Sequence, residues 1–235
     1  MMMSLASQGR ALKDRSSQEF TDPDIAEHVH AAIRHAAAVA EPWTHWQVPD
    51  LFPRDVLHEL ADLPLRPAFS ERLSGRREYH NERIYFDRAN IGRFSVMRRI
   101  AETMQSPAVT SAVHNAFGAP INNTFLRMEY ALDTDGFWLE PHTDIGVKKF
   151  TCFLYVEGAG DLGTDIYVDP RTLARRVPFI ANTALAFVPG DNTWHGFAPR
   201  RVTGVRRSII INYVGAEWHA REQLSFPDRP VRLAR

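Results

Sequence analysis

The stretch 124-TFLRMEYALDTDGFWLEPHTDIGVKKFTCFLYVE-157 decides the fold. Its β-rich runs TFLRMEYAL, FWLEP and KKFTCFLYVE are split by Asp, Gly and Pro, which reads as short strands joined by turns. The same grammar continues through TDIYVD, TALAFVP, NTWHGFA and RRSIIINYV, and so many short strands at this spacing predict a β-sandwich or small barrel over about 121–215. The chain before it follows another pattern. Asp22-Pro23 is a helix cap with proline in the first turn, and Ile25, Val29, Ala32, Ile33 and Ala36 then recur at helical spacing. WTHWQV reads as a strand, and PRDVLHELADL as a short amphipathic helix ended by Pro64. Further helices are predicted at Phe94–Gln105 and Pro107–Phe117, the second closed by Gly118. The expectation is one α+β domain over 22–235, a mainly helical first half followed by a β-barrel, with the polar, aperiodic residues 1–21 as a disordered extension.

Composition narrows the function. A chain of 235 residues, 44% hydrophobic and 24% charged, has the material for one packed core. Its 28 basic and 28 acidic residues give no global field for a polyanion, so nucleic acid is not an expected partner. No apolar run approaches the ~20 residues of a membrane span, and the opening residues lack a secretory apolar segment. The single cysteine, Cys152, excludes an internal disulfide framework and, inside FTCFLYV, reads as a buried inert thiol. A cytoplasmic protein is expected. The segment Arg66–Arg99 holds nine arginines against Glu71, Glu78, Glu82 and Asp87, a local surplus suited to an anionic ligand or to exposed ion pairs.

Chemistry concentrates at His142-Thr143-Asp144. On an extended segment, residues two apart point the same way, so both side chains reach one metal ion. With ten His and 28 acids in 235 residues, about one such pair arises by chance, and His80-Asn81-Glu82 is a second. Context favours the first, which ends a β-run. A facial triad for non-haem Fe(II) needs one more imidazole, and His195, on the strand that returns from the turn Pro189-Gly190-Asp191-Asn192, is the candidate. Eleven positions on, Gly204-Val205-Arg206-Arg207-Ser208 leads into an apolar strand, where alternation puts Arg206 and Ser208 on one face and Arg207 on the other. A buried guanidinium needs an anion. Asp and Glu are absent from Thr203 to Ala216, so the carboxylate of a bound organic acid is the expected answer to Arg206.

In this ordered set, Tyr130, Gly136, His142, Asp144, the TCFLYV strand, PGDNTWH and G-V-R-R-S, the sequence resembles the Fe(II)- and 2-oxoglutarate-dependent dioxygenases, in particular their prolyl-hydroxylase-like branch. The resemblance covers about Asn122–Val214 and implies a double-stranded β-helix, a jelly-roll or cupin-like barrel supported by helices. It implies that His142, Asp144 and His195 bind Fe(II). Arg206 and Ser208 would then hold the distal carboxylate of 2-oxoglutarate, with Tyr155 assisting Arg206 and Tyr130 near the metal-bound end. The chemistry implied is hydroxylation of an unactivated C–H bond by O₂, with succinate and CO₂ as coproducts. Asp144 stands where Gly or Ala would open a position for chloride, which favours hydroxylation over halogenation and leaves desaturation or ring closure open.

The substrate is expected to be a small polar or anionic metabolite, with Arg72–Arg88 and Trp138–Glu140 as pocket walls and Lys148 and Lys149 bordering the metal dyad. A peptide or protein residue is the competing substrate, and a cupin-like metal- or sugar-binding barrel is the competing class. Arg206 separates these classes, because a site that binds only metal has no use for it.

Overall fold

The computed structural model describes residues 23–67 and 83–233. The expected extension over 1–21, most of the Arg72–Arg88 wall and the His80/Glu82 pair lie outside the described residues.

Among the described residues, five α-helices precede the β-rich half: α1 (Pro23–Arg34), α2 (Arg54–Ala61), α3 (Arg88–Arg93), α4 (Ser95–Gln105) and α5 (Pro107–Phe117). Their boundaries follow from local chemistry. The Asp87 carboxylate accepts the Asn90 N–H at 2.8 Å and opens α3. Ser106 caps α5 ahead of its N-terminal proline, and Gly118 closes it in the left-handed region at φ 66°. The apolar faces of α1, α4 and α5, carrying Ile25, Val29, Ile33, Met97, Ile100, Val109 and Val113, are buried in one core. The first helix stops at Arg34, and Ala37–Val39 form a strand in place of another turn.

The strands build two antiparallel sheets. The larger contains β1 (Ala37–Val39), β2 (His45–Val48), β3 (Ile84–Tyr85), β4 (Phe125–Asp133), β6 (Lys148–Ala159), β9 (Ala184–Phe187) and β11 (Thr203–Val214), in the order β1-β2-β9-β6-β11-β4-β3. The smaller contains β5 (Leu139–His142), β7 (Asp165–Asp169), β8 (Thr172–Arg176) and β10 (His195–Phe197), in the order β5-β10-β7-β8. No ladder joins the two sheets among the described residues, so the expected barrel is observed as two facing sheets and not as a closed cylinder.

Strand alternation divides the large sheet into an outer and an inner face. Leu126, Met128 and Tyr130 of β4, Cys152 and Leu154 of β6, and Ile209, Ile211 and Tyr213 of β11 share a core with the helices. Tyr155, Leu185 and Phe187 turn the other way and pack on Ile166 of the small sheet. That inner face also carries buried polar residues: Arg127, Glu129 and Asp133 on β4, Thr151 on β6, and Arg206, Ser208 and Asn212 on β11. A polar residue buried between sheets must find a partner or a ligand, and here the fold positions its chemistry.

Candidate metal centre and its cavity

β5 and β10 pair antiparallel with His195 directly opposite His142, which brings residues 53 positions apart side by side. Gly196 makes the approach possible. A Cβ at that position would sit 2.8 Å from the Leu139 carbonyl oxygen and 3.1 Å from that of Glu140, so a larger residue would push the two strands apart. Asp144 follows in the turn after β5. One ligand atom from each of His142, Asp144 and His195 lies within 4.8 Å of the other two.

The hydrogen bonds of the two imidazoles set their tautomers. Nδ1 of His142 donates to the Glu140 carbonyl at 2.8 Å, and Nδ1 of His195 donates to the Thr193 carbonyl at 2.9 Å. In each ring Nε2 is the nitrogen not engaged by the backbone. On His195, Nε2 is buried and has no hydrogen-bond partner. Burial, and then the neighbouring His142, lower the His195 pKa to about 4, so the ring is neutral near pH 7. For Asp144, burial works to raise the pKa. The Lys148 ammonium, His195 and hydrogen bonds from Lys148 and Thr151 outweigh it and hold the carboxyl well below the usual range. Thr151 donates to Asp144 Oδ2 at 2.6 Å and accepts from Asn212 Nδ2 at 2.9 Å, while Lys148 donates to Oδ1. Two imidazoles and an ionised carboxylate, converging around an orphaned buried nitrogen, are a donor set for a divalent first-row metal.

Two cavities open from this point. The larger, about 340 Å³, is lined by the three candidate ligands together with Arg83, Arg127, Glu129, Lys148 and Trp218. The Arg127 guanidinium is held on every side: Nε donates to Gln223, Nη1 to Asn212 and Nη2 to Glu129, with the rings of Tyr85 and Trp218 at 4.8 and 5.0 Å. No local motif marks Arg127 and Glu129 in the sequence. Their signal is that Arg127, Glu129 and Asp133 all fall on one alternating face of β4, interrupted only by Ala131, along an otherwise apolar strand.

The smaller cavity, about 20 Å³, runs between His195 and Arg206 and is also lined by Thr164, Phe153, Ser208 and Ile210. The fold therefore brings Arg206 and Ser208 to the metal centre, with Arg206 Nη1 3.3 Å from Ser208 Oγ. Tyr155 is beside them: its ring is 5.8 Å from the Arg206 Cζ, and its hydroxyl is 2.9 Å from Thr164 Oγ1 and accepts the Thr164 N–H at 3.1 Å. Arg207 faces outward and pairs with Glu157, as alternation predicts.

Two expectations require correction. Tyr130 is on the outer face of β4, where its hydroxyl donates to the Leu60 carbonyl at 2.8 Å, so it belongs to the contact with α2 and not to the metal centre. The one-residue alternation of β4 decides this, since Glu129 and not Tyr130 points inward. The Arg206 guanidinium, in turn, does not wait for a bound acid. Asp133, directly opposite on β4, accepts its Nη1 at 2.6 Å, and the Leu162 carbonyl accepts its Nε at 2.8 Å. The acid-free interval Thr203–Ala216 conceals this partner because it comes from another strand.

No protein-family model and no curated protein matches the chain. Solved structures do match its fold. A prolyl-4-hydroxylase from Pseudomonas putida superposes with TM-score 0.56 at 16% identity, covering 81% of this chain and 99% of that one. A prolyl 4-hydroxylase from Phytophthora capsici gives TM-score 0.54 at 15% identity, covering 83% and 67%. The viral collagen prolyl hydroxylase of Paramecium bursaria Chlorella virus-1 gives 0.50 at 14%, covering 75% and 98%. The chain thus has the fold of these oxygenases. No helix among the described residues is long and apolar enough to cross a membrane.

Proposed function

We propose that the protein is an Fe(II)- and 2-oxoglutarate-dependent oxygenase that hydroxylates a small polar or anionic metabolite, releasing succinate and CO₂. The buried, unpartnered Nε2 of His195, turned toward His142 and Asp144, carries this reading. On it, the two facing sheets are the double-stranded β-helix of that family, with the metal centre at the open end of the small sheet. His142, Asp144 and His195 would hold Fe(II), three ligands that leave coordination positions for cosubstrate and O₂. Arg206 and Ser208 would receive the distal carboxylate of 2-oxoglutarate through the smaller cavity.

When bound, the iron and cosubstrate together supply the oxidising power for C–H hydroxylation. The chain's own work is to orient and to exclude water. Phe153 and Ile210 wall the space between metal and guanidinium, while Thr151 and Lys148 hold Asp144 ionised. In the larger cavity Arg83, Arg127 and Lys148 face Glu129 and the metal carboxylate, an excess of positive charge before any metal is counted, and this supports an anionic substrate.

The names of the fold neighbours support a second reading, a peptidyl proline as substrate. Succinate release measured over anionic metabolites, amino acids and prolyl peptides tests both. Turnover with a metabolite supports the first and turnover with a peptide the second. Absence of any 2-oxoglutarate binding would leave only a cupin-like metal-binding protein, in a cytoplasmic or another setting.

A further inference from the structure

Arg206 and Asp133 form an ion pair whose side chains are each only 5% exposed, fixed by their register opposite one another on β11 and β4. The guanidinium is further tethered through Nε to Leu162 and reaches Ser208. The cavity between this pair and His195 is about 20 Å³. That is room for about one water, so a five-carbon acid enters only if the surrounding groups give way. A buried guanidinium must have a counter-ion at all times, and Asp133 provides it when no ligand is present. A second carboxylate arriving at the same guanidinium would set two negative charges around one cation in a poorly screened interior, where like charges repel strongly.

Resting on the oxygenase reading above, we propose that Asp133 is a resident counter-ion to Arg206. It keeps the guanidinium buried and oriented between turnovers, and it competes with the distal carboxylate of the cosubstrate, so it sets how tightly 2-oxoglutarate is held. Asp133 is a positioning residue that acts through Arg206. It also sets selectivity. The Arg206–Asp133 pair is neutral as a unit, so it favours a dianionic 2-oxo acid over a monoanionic one less than a lone guanidinium would.

The test is equilibrium binding of 2-oxoglutarate, and of monoanionic 2-oxopentanoate of equal chain length, to the Mn(II)-loaded full chain. Asp133→Asn keeps the shape and an acceptor oxygen and removes only the charge. It is expected to tighten 2-oxoglutarate about tenfold and leave 2-oxopentanoate within about twofold, tenfold being about 1.4 kcal/mol. The ligand-free variant is expected to melt below wild type and to gain more in Tm from 2-oxoglutarate than wild type does. Asp133→Glu, which keeps the charge, is expected not to show the gain. Asp133→Ser carries the same expectation as the Asn variant should that one fail to fold. Unchanged or weaker 2-oxoglutarate binding in the neutral variants, with binding intact in wild type, would overturn this proposal alone. A wild type that binds no 2-oxoglutarate would overturn the oxygenase reading with it.

Discussion

Thr151 is placed to decide how the candidate metal ligand Asp144 behaves, because its hydroxyl donates to Oδ2 at 2.6 Å while it accepts from Asn212. Thr151→Val keeps the volume, removes that donor and leaves Asn212 without its acceptor. Metal affinity is expected to fall by roughly 10- to 100-fold with the fold retained, as read by metal titration beside far-ultraviolet circular dichroism. His45, buried between the sheets and away from the metal centre, governs a different property. Its Nδ1 donates to the Trp43 carbonyl at 2.7 Å, and its other nitrogen faces Arg175. Burial, opposed by the Trp43 hydrogen bond and assisted by Arg175, lowers its pKa from 6.5. The unfolded chain therefore takes up the proton first. The stability that His45 contributes as a neutral ring is complete above about pH 6.5 and is lost as pH falls below it. Denaturant titrations of the metal-free protein from pH 7.5 to 5 are expected to show a stability difference between wild type and His45→Gln that narrows on acidification. A difference independent of pH would contradict the assignment. Cys152 needs no such role, since burial pushes its thiol up to about 12 and keeps it unreactive.

At the scale of strands, the candidate metal centre depends on how closely β5 and β10 approach, and Gly196 sets that distance. Gly196→Ala is expected to weaken metal binding by about an order of magnitude or more, because its methyl must displace the β5 backbone and spread the two imidazoles. Gly92→Ala in α3, where an added Cβ meets nothing within 4 Å, is the control and is expected to leave metal affinity unchanged. Equal effects from both substitutions would show that the β5–β10 contact does not position the ligands. The same scale explains what could be read from the sequence. The central strands β4, β6, β9 and β11 are legible because each keeps an apolar face against the helices, in runs of β-branched, aromatic and aliphatic residues. The strands that escaped notice, β1, β3 and β8, are all sheet edges. Thr172–Arg176 is largely exposed and polar, as edges commonly are, and so resembles a loop. Ala37–Val39 follows a helix of similar composition, so helical periodicity runs past the true end at Arg34.

Over the whole molecule, the candidate site was legible where its members share a local pattern and hidden where they meet through pairing. His142 and Asp144 are two apart on an extended segment, and Arg206 and Ser208 two apart on a strand. Asp133 becomes the partner of Arg206 only through the β4–β11 register, 73 residues away in the chain, and Arg127 joins the cavity by the same route. Tyr130 shows the converse, a residue in the right strand on the wrong face. On the proposed reading, His142, Asp144, His195 and Arg206 act together on one cosubstrate. The most direct test is the anaerobic visible spectrum of the Fe(II)-loaded protein titrated with 2-oxoglutarate, in wild type and in Arg206→Ala. A weak visible charge-transfer band is predicted to saturate in wild type and to require far more cosubstrate in the variant, with iron still bound. No band in wild type, or the same midpoint in both proteins, would contradict the claim.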